Sequence, residues 1–229
     1  MKTVKKILSQ TDYKKSSSPV TIAFFGDSVT AAAFEDGIYD YNAVYHNVLY
    51  NMIKERLSVE VKVQNFGVSG ETAADGIKRI GEVLDAKPDL CVVSFGLNDC
   101  VGGLNRLVKY ENNIREIIKT FLGSNIEVII LTPNMMNTVP ANQDNPHYEF
   151  SQITAQIVAN GVQEAFVNTL KDAANQYAVP VADCFAVWQS LYKSGVDVDK
   201  MLSNGVNHPT RQAHKIFANE LYKIMFEYI

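Results

Sequence analysis

The stretch Val20-Thr21-Ile22-Ala23-Phe24-Phe25-Gly26-Asp27-Ser28 decides the fold. Its first six residues are apolar but for Thr21, and they stop at a glycine, the pattern of a short buried strand closed by a turn. Similar runs recur at residues 60–65, 90–95, 127–131 and 179–182. They are apolar along their length rather than alternating, as parallel strands covered on both faces are. Between them lie amphipathic stretches at residues 45–57, 73–84, 104–122, 153–177 and 210–229. In the third, Ile114, Ile117, Ile118, Phe121 and Leu122 recur at helical spacing; Ala213, Ile216, Phe217, Leu221, Ile224 and Met225 do so in the last.

Strand and helix thus alternate about five times, which predicts a parallel sheet, and right-handed crossovers put helices on both of its faces. The expected fold is α/β: a flavodoxin-like, doubly wound five-stranded parallel sheet, an α/β/α sandwich. Residues 1–18 read as a polar N-terminal lead-in, Ser-rich over 11–18, and residues 19–229 as a single domain. Residues 132–150 hold three prolines and four asparagines without periodicity, and a loop of that length is functional or mobile as a rule.

The 229 residues are enough for one domain with a sizeable core. A hydrophobic fraction of 47% and a charged fraction of 20% exclude disordered and fibrous classes. With 21 Lys+Arg against 25 Asp+Glu the net charge is -4, and basic runs stop at pairs, so a nucleic-acid partner is not expected. Three cysteines, Cys91, Cys100 and Cys184, form no C-x-x-C pair and suit reduced thiols in the cytoplasm. No apolar stretch nears the ~20 residues of a membrane span, and the basic N-terminus lacks the apolar region of a secretory signal. The expectation is a cytoplasmic protein with no membrane partner and an open oligomeric state.

In open α/β sheets ligands bind beyond the carboxyl ends of the strands, so the chemistry should follow each apolar run. After the first comes Gly26-Asp27-Ser28-Val29-Thr30; after the second, Asn65-Phe66-Gly67-Val68-Ser69-Gly70-Glu71-Thr72. After the third comes Gly96-Leu97-Asn98-Asp99, and near the C-terminus Asn204-Gly205-Val206-Asn207-His208-Pro209. Each alone reads as a turn or helix cap. Together they supply the parts for acyl transfer. Ser28 can attack if a base takes its proton, and His208 is the histidine placed ahead of the final helix. The backbone N–H groups of Ser28 and Gly70 and the Asn98 amide can meet a developing oxyanion.

These four blocks, in this order, resemble the SGNH hydrolases, also called the GDSL-type lipase/acylhydrolase family, from Phe25 to His208. The resemblance implies a flavodoxin-like fold and a carboxylic-ester hydrolase that needs no cofactor. It makes Ser28 the nucleophile, His208 the general base, and Ser28, Gly70 and Asn98 the oxyanion hole. Residue 29 is Val where the family name records Leu. The Asp that the family carries three residues before the His is here Gly205, and Asn204 stands where a shifted motif would put it. An acid in that place holds the imidazole in the right tautomer. A backbone carbonyl can replace it in a Ser–His dyad, Asp199 or Asp197 can swing in, Asp183 is a more distant choice, or the site is impaired.

Other residues read more plainly. Asp27 and Asp99 shape turns, and His46, His147 and His214 lack metal-ligand spacing. Met135, Met136 and Tyr148 occupy the long loop where a lid or acyl pocket is expected. Thr30 stands where the Gly-x-Ser-x-Gly elbow needs its second Gly, and no nucleotide-binding glycine motif occurs. The expected substrates are small-molecule esters with short-chain or carbohydrate acyl groups. Competing readings are a flavodoxin-like binding protein with a degenerate site and, more remotely, a nucleotide or flavin binder.

Overall fold

A computed structural model describes residues 1–10 and 19–227. The Ser-rich part of the expected lead-in, 11–18, and the last two residues lie outside the described residues. The five apolar runs form β1 (Thr21–Gly26), β2 (Lys62–Gly67), β3 (Leu90–Ser94), β4 (Glu127–Leu131) and β5 (Val181–Ala182) of one sheet, in the order β2-β1-β3-β4-β5. Every pairing is parallel, which gives the doubly wound order with its reversal at β1. β1 and β3 are central and buried, as their continuous apolar runs require. β2 is an edge strand and half-exposed, so the run at 60–65 is less apolar than its neighbours. The second and fifth strands also begin two residues later than the sequence suggests.

One layer contains α2 (Tyr45–Leu57), which packs on the C-terminal helix; the other contains α3 (Ala73–Lys78), with α4 (Ile80–Asp85) following it. The stretch 73–84 is therefore two helices, broken at Arg79, whose backbone leaves the helical region (φ -118°, ψ 15°). A short α5 (Leu97–Cys100) caps β3, and α6 (Leu107–Gly123) buries Ile114, Ile117, Ile118 and Phe121. The stretch 153–177 is also two helices, α7 (Tyr148–Ala159) and α8 (Val162–Gln176), with Asn160 and Gly161 in a turn between them.

A helix not anticipated from the sequence, α9 (Cys184–Lys193), begins where the Asp183 side chain accepts from the backbone N–H of Ala186. The final helix, α10 (His214–Phe226), packs against α2 and α9. The first part of the lead-in is also structured, which corrects its reading as merely polar. Residues Lys2–Ser9 form the N-terminal helix α1, and Val4 and Ile7 lie fully buried in the core. The Glu127 carboxylate accepts from the N–H groups of Lys2 and Thr3, both at 2.7 Å, fixing α1 beside the start of β4, at the end of the sheet away from Ser28. Among the described residues no helix is long and apolar enough to cross a membrane.

Candidate active site

Three of the four sequence blocks stand at the carboxyl ends of β1, β2 and β3, and the fourth enters from the loop before α10. Ser28, Gly70, Asn98 and His208 line one cleft of about 310 Å³. His208 Nε2 lies 3.0 Å from Ser28 Oγ, and its Nδ1 lies 2.8 Å from the carbonyl oxygen of Phe34. A carbonyl only accepts, so Nδ1 carries the ring proton and the Nε2 lone pair faces the serine hydroxyl, which donates to it. Burial pushes the His208 pKa below the usual 6.5, with the Phe34 bond opposing and His147 adding to the fall. The ring is thus neutral at pH 7 and able to take a proton.

Phe34 is held from several sides. Its N–H donates to the Ile38 carbonyl at 2.9 Å, closing a narrow hairpin whose Ala33 bridges Tyr39. Its buried ring lies 4.7 Å from the Arg211 guanidinium and 4.6 Å from the His214 ring. Arg211 also donates to Glu35 and Asp40 of the hairpin, so the segment that follows His208 grips the segment that orients it.

The side chains expected to orient His208 are committed elsewhere. Asp199 accepts from the Thr138 N–H and hydroxyl and the Val139 N–H, at 2.7, 3.0 and 3.2 Å. Asp197 pairs with Lys200 at the surface. Asp183 caps α9, accepts from Thr132 and pairs with Lys171. Asn204 Oδ1 accepts from the N–H groups of Val206, Asn207 and His208, each at 3.0 Å, and so shapes the loop rather than touching the ring. Gly205, where the family places its acid, has φ +73°, and a Cβ there would lie 3.0 Å from Asn145 Nδ2. A side chain at that position is strained.

Asn98 Nδ2 donates to the Glu71 carbonyl at 2.8 Å, which fixes the amide and leaves its second hydrogen for a ligand. Among the described residues no acceptor takes the N–H of Ser28 or of Gly70. Gly70 has φ +81° and open space where a Cβ would stand, so a ligand can approach its backbone closely. The cleft therefore combines a base–hydroxyl pair with three unspent donors, the arrangement that acyl transfer requires.

The family model for the GDSL-like lipase/acylhydrolase family matches residues 24–216. The chain belongs to that family. This acylhydrolase is a carboxylic-ester hydrolase by that membership. Comparison by sequence with curated proteins finds no match. Among solved structures it is similar to an acetylxylan esterase from Geobacillus stearothermophilus, at 20% identity and TM-score 0.68 over 92% of this chain and 95% of that one. It is also similar to an alpha/beta hydrolase enzyme from the metagenome of Lake Arreo, Spain, at 19% identity and TM-score 0.69, covering 91% and 96%. Variants of the esterase solved as catalytic mutants replace a serine, a histidine and an aspartate. At these identities the likeness speaks for the fold.

Behind its cleft, the acylhydrolase carries Arg79, which sequence reasoning passed over, and Asp27 and Asp99, which it read as turn-shaping residues. Arg79 donates through Nη2 to the carbonyls of Phe66 and Gly26, at 2.8 and 3.3 Å, and through Nε to Glu71 at 2.6 Å. Its guanidinium also lies 4.7 Å from the Phe25 ring centroid. One side chain thus ties the ends of β1 and β2 to the residue whose carbonyl holds Asn98. Both carboxylate oxygens of Asp99 accept from the Ala73 N–H, and Asp27 accepts from the Val29 N–H. Burial pushes both of these pKa values up to about 7.

The long loop departs from expectation in its first half. Residues 132–137 are buried, and Asn134 donates to the Asn207 carbonyl at 2.9 Å while the Asn137 N–H donates to Val206 at 2.8 Å. This strap supports the His208 loop from beneath. Met135 and Met136 belong to the core, and His147 and Phe150 line the cleft instead, with Tyr148 outside it. Among the described residues no cluster of three or more His, Cys, Asp or Glu is placed to hold a metal ion.

Proposed function

We propose that this acylhydrolase cleaves short-chain acyl esters, carbohydrate esters among them, through an acyl-Ser28 intermediate, with His208 as general base and Phe34 in place of the usual acid. The observation that carries the reading is the pair of His208 bonds, 3.0 Å to Ser28 Oγ and 2.8 Å to the Phe34 carbonyl. Ser28 Oγ attacks the ester carbonyl as its proton passes to His208 Nε2, and the oxyanion forms against the N–H groups of Ser28 and Gly70 and the Asn98 amide. His208 then returns the proton to the departing alcohol, and the C–O bond breaks. Water attacks the acyl-enzyme with His208 again taking a proton, releasing the acid and restoring Ser28.

The modest cleft, with Glu35, Asp36, Asn98, Asn204 and Asn207 in its walls, suits a short acyl group better than a long aliphatic chain. The structural likeness to an acetylxylan esterase supports acetyl and a sugar alcohol. The three buried free thiols suit the cytoplasm. The test is hydrolysis of p-nitrophenyl esters from acetate to dodecanoate by wild type and Ser28→Ala, with fluorophosphonate labelling of Ser28. The expected result is an optimum at acetate or propionate, with kcat lower by ~10³-fold or more in the variant. Wild-type turnover that survives in Ser28→Ala, or an optimum at long chains, would overturn it.

A further inference from the structure

The catalytic cleft adjoins a second one that the reaction as described does not use. Tyr39 and Ser69, whose hydroxyls lie 3.2 Å apart, line the catalytic cleft on one side and a larger cleft, of about 740 Å³, on the other. The larger cleft includes Tyr41, whose ring lies 6.4 Å from that of Tyr39 with 17° between the planes. The two tyrosines are 49% and 62% exposed. Two nearly parallel, exposed tyrosine rings beside an active site are a surface that a ligand can cover.

The remaining walls say what covers it. No carboxylate and no cation lines the larger cleft. Asn65 uses its Oδ1 to accept from the Gly67 N–H, which leaves its NH₂ as a donor; Asn47 donates to the Asn42 carbonyl, which leaves its Oδ1 as an acceptor. Flat aromatic faces flanked by one donor and one acceptor match a sugar ring, with its apolar C–H faces and its rim of hydroxyls. Ala31, Val63 and Val68 also line the cleft and offer aliphatic surface to those C–H faces; a fatty chain would leave both amides unpaired, and a phosphate or uronate would call for cations.

We propose that this second cleft is the subsite for the carbohydrate alcohol of the substrate, with Tyr39 and Tyr41 as a stacking ledge and Asn47 and Asn65 as hydroxyl partners. The proposal rests on the reading of the chain as a short-acyl esterase. With its acetyl group beside Ser28, an oligosaccharide that extends past the Tyr39–Ser69 contact enters the larger cleft.

The test is kcat/KM for an acetylated xylo-oligosaccharide relative to ethyl acetate, the same acyl group on a small non-aromatic alcohol. Wild type, Tyr41→Ala, Tyr41→Trp and Tyr192→Ala are compared, Tyr192 being an exposed tyrosine outside both clefts. The ratio falls about tenfold or more in Tyr41→Ala, through KM, and is kept in Tyr41→Trp and Tyr192→Ala. Wild type active on both esters with an unchanged ratio in Tyr41→Ala overturns the ledge alone. Wild type active on ethyl acetate and inactive on the sugar acetate overturns the carbohydrate reading, and the ledge with it.

Discussion

In the proposed mechanism His208 works with a carbonyl oxygen behind it rather than a carboxylate, and its titration should show that. Burial lowers its pKa, and only the neutral ring can take the serine proton, so kcat/KM holds as pH falls until the ring is protonated. The acidic limb of the pH profile should have its midpoint below 6.5; a midpoint above 6.5 would contradict the geometry. Asp199→Ala should leave kcat within about tenfold while lowering stability by ~1–3 kcal/mol, because three donors lose their acceptor. A kcat loss of ~10³-fold would put a carboxylate back into the mechanism. Asp27 offers a test with the opposite sign to most acids. An unfolded chain ionises it near 3.8, the folded chain near 7, so between those values the unfolded state has released a proton that the native state keeps. Stability therefore falls as pH rises through that window, and Asp27→Asn, which keeps an acceptor for Val29, should raise Tm more at pH 8 than at pH 5. Thermal melts at both values check it, and an equal shift at both would contradict it. At this scale the sequence made Ser28 and His208 stand out because their chemistry is in their side chains. Phe34 was unreadable because what it offers is a main-chain atom, and no residue letter marks which carbonyl a histidine will meet.

The elements that carry the site were easier to read than their ends. Apolar runs closed by glycine marked β1 and β3, and the blocks behind them fell where a parallel sheet puts its ligands. Residues 73–84 and 153–177 looked like single helices because hydrophobic periodicity continues across each break. Arg79 explains the first break, since its guanidinium is drawn to Gly26, Phe66 and Glu71 and the backbone turns at that residue. Arg79→Met, which preserves much of the packing over Phe25, should lower kcat by ~10–100-fold with little change in KM, because the three donors proposed for the oxyanion lose their common brace while the cleft walls remain. Steady-state kinetics on a variant shown by circular dichroism to be folded decide the matter, and an unchanged kcat would reduce Arg79 to a packing residue. The buried half of the long loop was misread for a similar reason. Its asparagines look like loop residues in sequence, and only the fold shows that they hold the His208 segment.

For the molecule as a whole, the sheet order and the two helical layers followed from alternation and from the handedness of crossovers. The N-terminal helix did not, because eight residues with three lysines read as polar until Val4 and Ile7 are seen on one buried face. Packing at the end of the sheet away from Ser28 gives α1 a role in stability alone. Ile7→Ala should destabilise the fold by about 2–5 kcal/mol, measured by urea denaturation, with kcat/KM per folded molecule unchanged at 25 °C. A matching loss of activity would mean that the two ends of the sheet are coupled.

The Phe34 carbonyl bears on how this enzyme can evolve. A triad acid can be deleted by one codon change, and that vulnerability is what mutational scans detect. A peptide oxygen survives every substitution at its own position, so scanning Phe34 reports on the packing of its ring and leaves the histidine's partner in place. The orienting group can be lost only by moving the hairpin that presents it, through insertion or deletion in residues 33–39 or loss of the Arg211 grip. Libraries that vary the length of this segment would therefore explore catalytic changes that substitutions at Phe34 do not reach.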